Sequence, residues 1–69
     1  MKIQLNGKEK ELDQEYTVLQ LLDQLGLHPQ RVAVELNRAI IKREFYPTQT
    51  VREGDEIEVL HFVGGGKIG

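Results

Sequence analysis

Only one stretch of this chain spaces its apolar residues for a helix, and that limits the fold more than any other feature. In TVLQLLDQLG, residues 17–26, Val18, Leu21, Leu22 and Leu25 fall at i, i+3, i+4 and i+7, the stripe of an amphipathic helix. Thr17 suits the cap of its first turn, and Gly26 suits the left-handed residue just past its last. A lone helix has one stripe to bury, so the remaining residues must supply a surface that covers it.

Those residues read as strands. Ile3 and Leu5 alternate with Lys2, Gln4 and Asn6, the period of a strand with one buried face. Asn6-Gly7 favours a tight turn with two positive φ angles, so Lys8 to Leu12 can return antiparallel. Pro29 ends the helical pattern, and Val32, Val34 and Leu36 then alternate with Ala33 and Glu35 up to a turn at Asn37-Arg38. Ala39-Ile40-Ile41 makes a short strand, followed by a compact loop in which Phe45 and Tyr46 are expected to tuck under the body before Pro47 redirects the chain. Glu53-Gly54-Asp55 turns into a last strand, where Ile57, Val59 and His61 alternate with Glu58, Leu60 and Phe62. The expected class is α+β: a mixed sheet of four to five strands with one main helix across one face. A last strand returning to the middle of that sheet would make the roll a β-grasp. The expected boundary puts a folded domain at residues 1–63 and a glycine-rich tail at 64–69.

Size and composition narrow the function. Sixty-nine residues allow a single core and little room for an internal ligand pocket, which disfavours a cofactor enzyme. There is no cysteine, so disulfides and thiolate metal sites are excluded. The longest apolar run falls short of the ~18 residues a membrane span needs, and the alternating N-terminus lacks the apolar stretch of a secretory signal. A cytoplasmic, monomeric protein is expected. The formal charge of -2 gives no basic footprint for nucleic acid.

Catalytic groups are equally scarce. Serine and cysteine are both absent, and Thr17, Thr48 and Thr50 are better explained as cap or turn residues. His28 and His61 lie far apart without a ligand pattern, His28 in the loop before Pro29 and His61 on a strand edge or face. The carboxylates occupy turns and surfaces, so no catalytic pair stands out. The tail GGGKIG, residues 64–69, matches G-x-G-x-x-G literally, but that fingerprint works by offering a helix N-terminus to a pyrophosphate, and the sequence presents no helix there.

What remains is the glycine run itself. Glycine offers the slimmest backbone for entry into a narrow site on another protein. Ordering Gly64, Gly65 and Gly66 costs about 3–6 kcal/mol, so a folded body must contribute the docking surface.

Taken in order, the Asn6-Gly7 hairpin, TVLQLLDQLG, VAVELNRAIIKR and VREGDEIEVLHFVGGG resemble the sulfur carrier proteins of thiamine biosynthesis, nearly over the whole chain through Gly66. The resemblance implies a ubiquitin-like β-grasp whose C-terminal glycine carboxylate is the working group. It implies that an adenylating enzyme uses ATP to activate that carboxylate, that a cysteine desulfurase or other donor supplies sulfur to give a thiocarboxylate, and that thiazole synthase takes the sulfur. Carried onto this chain, Gly66 bears the thiocarboxylate, Gly64 and Gly65 form the approach, and Phe62 with Val63 dock the base of the tail. No cofactor stays bound, and the chain is not itself an enzyme. Family members finish at the glycines, so Lys67-Ile68-Gly69 are expected to be removed first, because β-branched Ile68 would obstruct a channel fitted to glycine. The small subunit of molybdopterin synthase shares the fold and the diglycine logic but is less similar in the middle. β-Grasp regulatory or RNA-associated modules share the LN…GD.IEV rhythm but lack the glycine end.

Overall fold

A computed structural model describes residues 1–62. Its main sheet contains β1 (Lys2–Leu5), β2 (Lys8–Glu11), β4 (Val32–Leu36), β5 (Ala39–Ile41) and β7 (Glu56–His61), in the order β2-β1-β7-β4-β5. The last strand therefore lies in the middle, parallel to β1 and antiparallel to β4. That placement is the arrangement the β-grasp reading required.

The helix α1 (Val18–Gln24) buries Val18, Leu21 and Leu22 against the sheet residues Ile3, Val32, Val34, Leu36 and Ile57. Its ends are built as the sequence predicts. The Thr17 hydroxyl accepts a hydrogen bond from the Gln20 N–H at 3.1 Å, and the Gln20 side chain accepts one from the Thr17 N–H at 2.9 Å, a reciprocal capping box. The neighbouring free donors of the first turn also find partners: Val18 N–H bonds the Gln49 carbonyl and Leu19 N–H the Tyr46 carbonyl. At the other end Gly26 has φ 73°, which lets its N–H reach the Asp23 carbonyl while the Leu27 N–H reaches that of Leu22.

A second, two-stranded ladder pairs β3 (Tyr16–Thr17) with β6 (Thr50–Val51), strands of only two residues each and so too short to show an alternation in the sequence. It fastens the start of the helix to the loop that precedes the last strand. Tyr16 and Val51 thereby close one end of the core.

The loop after β5 needs one correction. Tyr46 is buried as expected, but Phe45 is half exposed and does not tuck under the body. A 3-10 turn over Arg43–Phe45 explains the difference, since consecutive residues of a tight helical turn point in different directions and only one of two adjacent rings can face the core. The turn is moored from its start: the Arg43 Nε donates to the Pro29 carbonyl at 2.8 Å.

No helix among the described residues is long and apolar enough to cross a membrane.

Candidate functional site: the open sheet face and the end of the last strand

Two asparagines fix the strand that leads to the tail. Both tight hairpin turns contain one at φ 51°, followed by Gly7 in the first and Arg38 in the second, each also at positive φ. The main-chain pairing of β1 with β7 stops at Leu5 opposite Ile57, where the hairpin turns away. From there the Asn6 side chain continues the ladder: its Oδ1 accepts from the Val59 N–H at 2.8 Å, and its Nδ2 lies 3.4 Å from the Val59 carbonyl. At the start of the same strand the Asn37 Oδ1 accepts from the Glu56 N–H at 2.9 Å, and its Nδ2 donates to Asp55 at 3.1 Å. The strand is thus held along its length by side-chain amides as well as by its neighbours. Sequence reasoning assigned Asn6 and Asn37 to turns and missed this second role, for which composition and spacing carry no signal.

The pairing between β4 and β7 extends one rung beyond His61 opposite Val32, through a 2.9 Å bond from the Phe62 N–H to the Arg31 carbonyl. Phe62 keeps the alternation of Leu60, and both side chains are about half exposed. Leu60 stands opposite Ala33, and Ile40, three-quarters exposed, lies on the next strand opposite Glu35. These apolar side chains occupy the face of the sheet that α1 does not cover. The outward half of the last strand's alternation, in which Leu60 follows Glu58, was the available sequence signal for this face.

Toward the other end of β7 the same face becomes acidic. Glu35 and Glu58 are directly opposite across the two central strands, with Glu56 two residues before Glu58 on the same side. A shallow hollow of about 300 Å³ lies among Gln4, Glu35, Arg38, Glu56 and Glu58. Arg38 approaches Glu56 at 3.9 Å, while neither Glu35 nor Glu58 has an ion-pair partner among the described residues.

Of the residues expected at the site, Phe62 is placed at the end of the ladder as described, and Val63, Gly64, Gly65 and Gly66 lie outside the described residues, as does the expected domain boundary at 63. His28 is a local cap, its Nδ1 accepting from the Gln30 N–H at 3.1 Å, and His61 is exposed on the last strand. Among the described residues no group of three or more His, Cys, Asp or Glu is placed to hold a metal ion. A larger groove of about 570 Å³ runs beside α1, lined by Tyr16, Leu19, Leu27 and Pro29 with Gln20 and Asp23, and among the described residues no serine, cysteine, threonine, lysine or histidine lines it.

The architecture that delivers a chain end from the centre of a sheet has known counterparts. Residues 3–66 match the model of the ThiS family. The chain belongs to the ThiS family. It is 40% identical over 65 residues to the sulfur carrier protein ThiS of Bacillus subtilis, covering 93% of this chain and 98% of that protein. It is 45% identical over 67 residues to a thiazole synthase of Magnetococcus marinus, covering 97% of this chain but 21% of that one. The chain therefore spans about a fifth of the length of the thiazole synthases it matches. The crystal structure of the thiamine biosynthesis protein ThiS from Geobacter metallireducens superposes with a TM-score of 0.84 at 38% identity, covering 96% of this chain and 100% of that one. The fold is thus a β-grasp.

Proposed function

We propose that this chain is a sulfur carrier of thiamine biosynthesis and that Gly66 is the residue that carries the sulfur. The observation that carries the reading is the family match running to Gly66, continuing from a last strand that its neighbours and two asparagine amides hold in mid-sheet. The Gly66 carboxylate attacks the α-phosphorus of ATP in an adenylating enzyme, and pyrophosphate leaves. A sulfur nucleophile from a cysteine desulfurase or another donor then attacks the acyl carbon and AMP leaves: sulfide gives the thiocarboxylate directly, whereas a persulfide gives an acyl disulfide whose S–S bond a thiol reductant cleaves to the thiocarboxylate, and the thiocarboxylate gives its sulfur to thiazole synthase. A free carboxylate is a poor acyl donor, and the mixed anhydride supplies the missing leaving group. The chain is the protein substrate in these steps and the partners are the catalysts, which agrees with a sequence that has no serine or cysteine.

Gly64 and Gly65 let the terminus enter a narrow active site, and Phe62 and Val63 seat its base. The Gly66 carboxylate becomes free only when residues 67–69 are removed. The thiamine reading is preferred to the molybdopterin one because the relatives are named for thiamine and thiazole chemistry.

The test compares a chain ending at Gly66, the chain ending at Gly69 and one lacking residues 64–69. Each is incubated with ATP, a sulfur source and the adenylating enzyme of the same cell and followed by intact mass. Sulfur should replace a terminal oxygen only in the chain ending at Gly66. Sulfur on the full-length chain overturns the processing step, and no sulfur on any chain overturns the carrier reading.

A further inference from the structure

Asn6 and Asn37 grip the last strand by the same means but at different points along it. Each opens a tight turn at φ 51°, and each bonds β7 through its main chain as well as its side chain: the Asn6 N–H reaches the Ile57 carbonyl at 2.8 Å and the Asn37 N–H the Glu56 carbonyl at 2.7 Å. Their side chains differ in what they secure. The Asn37 amide holds Glu56, the first residue of β7, which β1 also flanks at Gln4. The Asn6 amide holds Val59, two residues past the last one that pairs with β1. The turn itself does not call for this amide, since glycine accepts the same positive φ, and a hydrogen bond open to water adds only modestly to stability. What the Asn6 side chain supplies is a hold on the second side of a segment, Glu58 to Phe62, that β4 and the residue before it would otherwise grip alone.

A strand gripped along one edge pivots about that edge, and its excursion grows with distance from the last residue fixed on both sides. At the usual strand rise Phe62 lies roughly 10 Å beyond Val59 but roughly 17 Å beyond Ile57, so loss of the Asn6 amide lengthens the lever at the base of the tail. Gly64, Gly65 and Gly66 have no side chains with which to correct a wrong approach. We propose that Asn6 is a positioning residue for sulfur loading: by bonding Val59, its amide sets the direction in which the last strand delivers the Gly66 carboxylate to the α-phosphorus of ATP. This role rests on the carrier reading. Asn37, at the start of the strand and far along the chain from the tail, has no such part.

The experiment compares Asn6→Gly with Asn37→Gly, in the full chain for amide exchange and in the chain ending at Gly66 for loading. Both variants keep the turn and the main-chain bond to β7, and each loses a side-chain bond of nearly equal length to a strand N–H, so their melting temperatures should fall by similar amounts. Only Asn6→Gly should loosen the base of the tail, with the Phe62 N–H exchanging about tenfold faster than in Asn37→Gly. With ATP, a sulfur source and the adenylating enzyme of the same cell, Asn6→Gly should lower kcat about tenfold and leave KM for the carrier within about twofold, because the body still binds while the acid arrives misaligned. A merely structural role would move both variants together. Equal Phe62 exchange in the two variants, or equal kcat, overturns the positioning role and leaves the carrier reading intact. No loading of the wild-type chain ending at Gly66 overturns the carrier reading and the positioning role together, and Phe62 exchange, which is read without any partner, separates the two failures.

Discussion

The two faces of one sheet obey different rules. In β4, Val32, Val34 and Leu36 point toward the helix and are buried, while Ala33 and Glu35, between them in sequence, point to the other side. The last strand divides in the same way, with Ile57 sealed under the helix and Glu58 and Leu60 exposed opposite it. On the covered face packing under the helix constrains the central side chains, so their composition records the fold. On the open face packing constrains little, and what appears there includes a like-charge pair that opposes stability. Residues that a fold tolerates at its own expense are where interaction should be sought.

Three substitutions or conditions test that contrast. The largest effect belongs to the covered face: Leu22→Ala should cost about 2–5 kcal/mol in urea unfolding, because the cavity it leaves lies under the sheet. Sulfur loading per folded molecule should be unchanged, and a specific loss of loading with native stability would break the division between faces. Next comes Leu60→Ala, which should alter stability by less than about 0.5 kcal/mol yet weaken binding of the adenylating enzyme about tenfold, measured by calorimetry. A stability loss comparable to that of Leu22→Ala would show that the open face is also core.

The smallest effect concerns a charge near the far edge of the open face that, unlike Glu35 and Glu58, has a partner. The Glu11 carboxylate accepts a 2.9 Å hydrogen bond from the N-terminal amine, and this bond, reinforced by the charges of the amine and Lys2, holds its pKa below the usual carboxylate range. A carboxyl depressed in the folded state stabilises above its unfolded pKa, and that contribution is lost as pH falls through the folded value. Melting temperature should therefore decline on acidification more in the wild type than in Glu11→Gln. Parallel acid limbs in the two proteins would remove Glu11 from the account.

Much of the fold was legible because its signals are local. The helix stripe, the Thr17 cap, the Gly26 terminus and the alternation of the long strands each depend on residues within a few positions of one another. The candidate site was legible only in part. Leu60 and Phe62 stand in the outward half of an alternating strand, so their exposure could be read, but the pairing of Glu35 with Glu58 depends on register between distant segments. Tyr46 and Phe45 make the same point, as adjacent aromatic residues of similar apolar character whose fates are separated by one tight turn.

By itself the sequence determined the helix, the longer strands and which side of each of those strands is apolar, since backbone geometry converts spacing directly into facing. Only tertiary structure decided that the last strand enters mid-sheet and that the Asn6 amide bonds to Val59, 53 residues along the chain. Such contacts depend on which segments lie side by side after the helix has packed, and that is a property of the whole core rather than of any local run of residues.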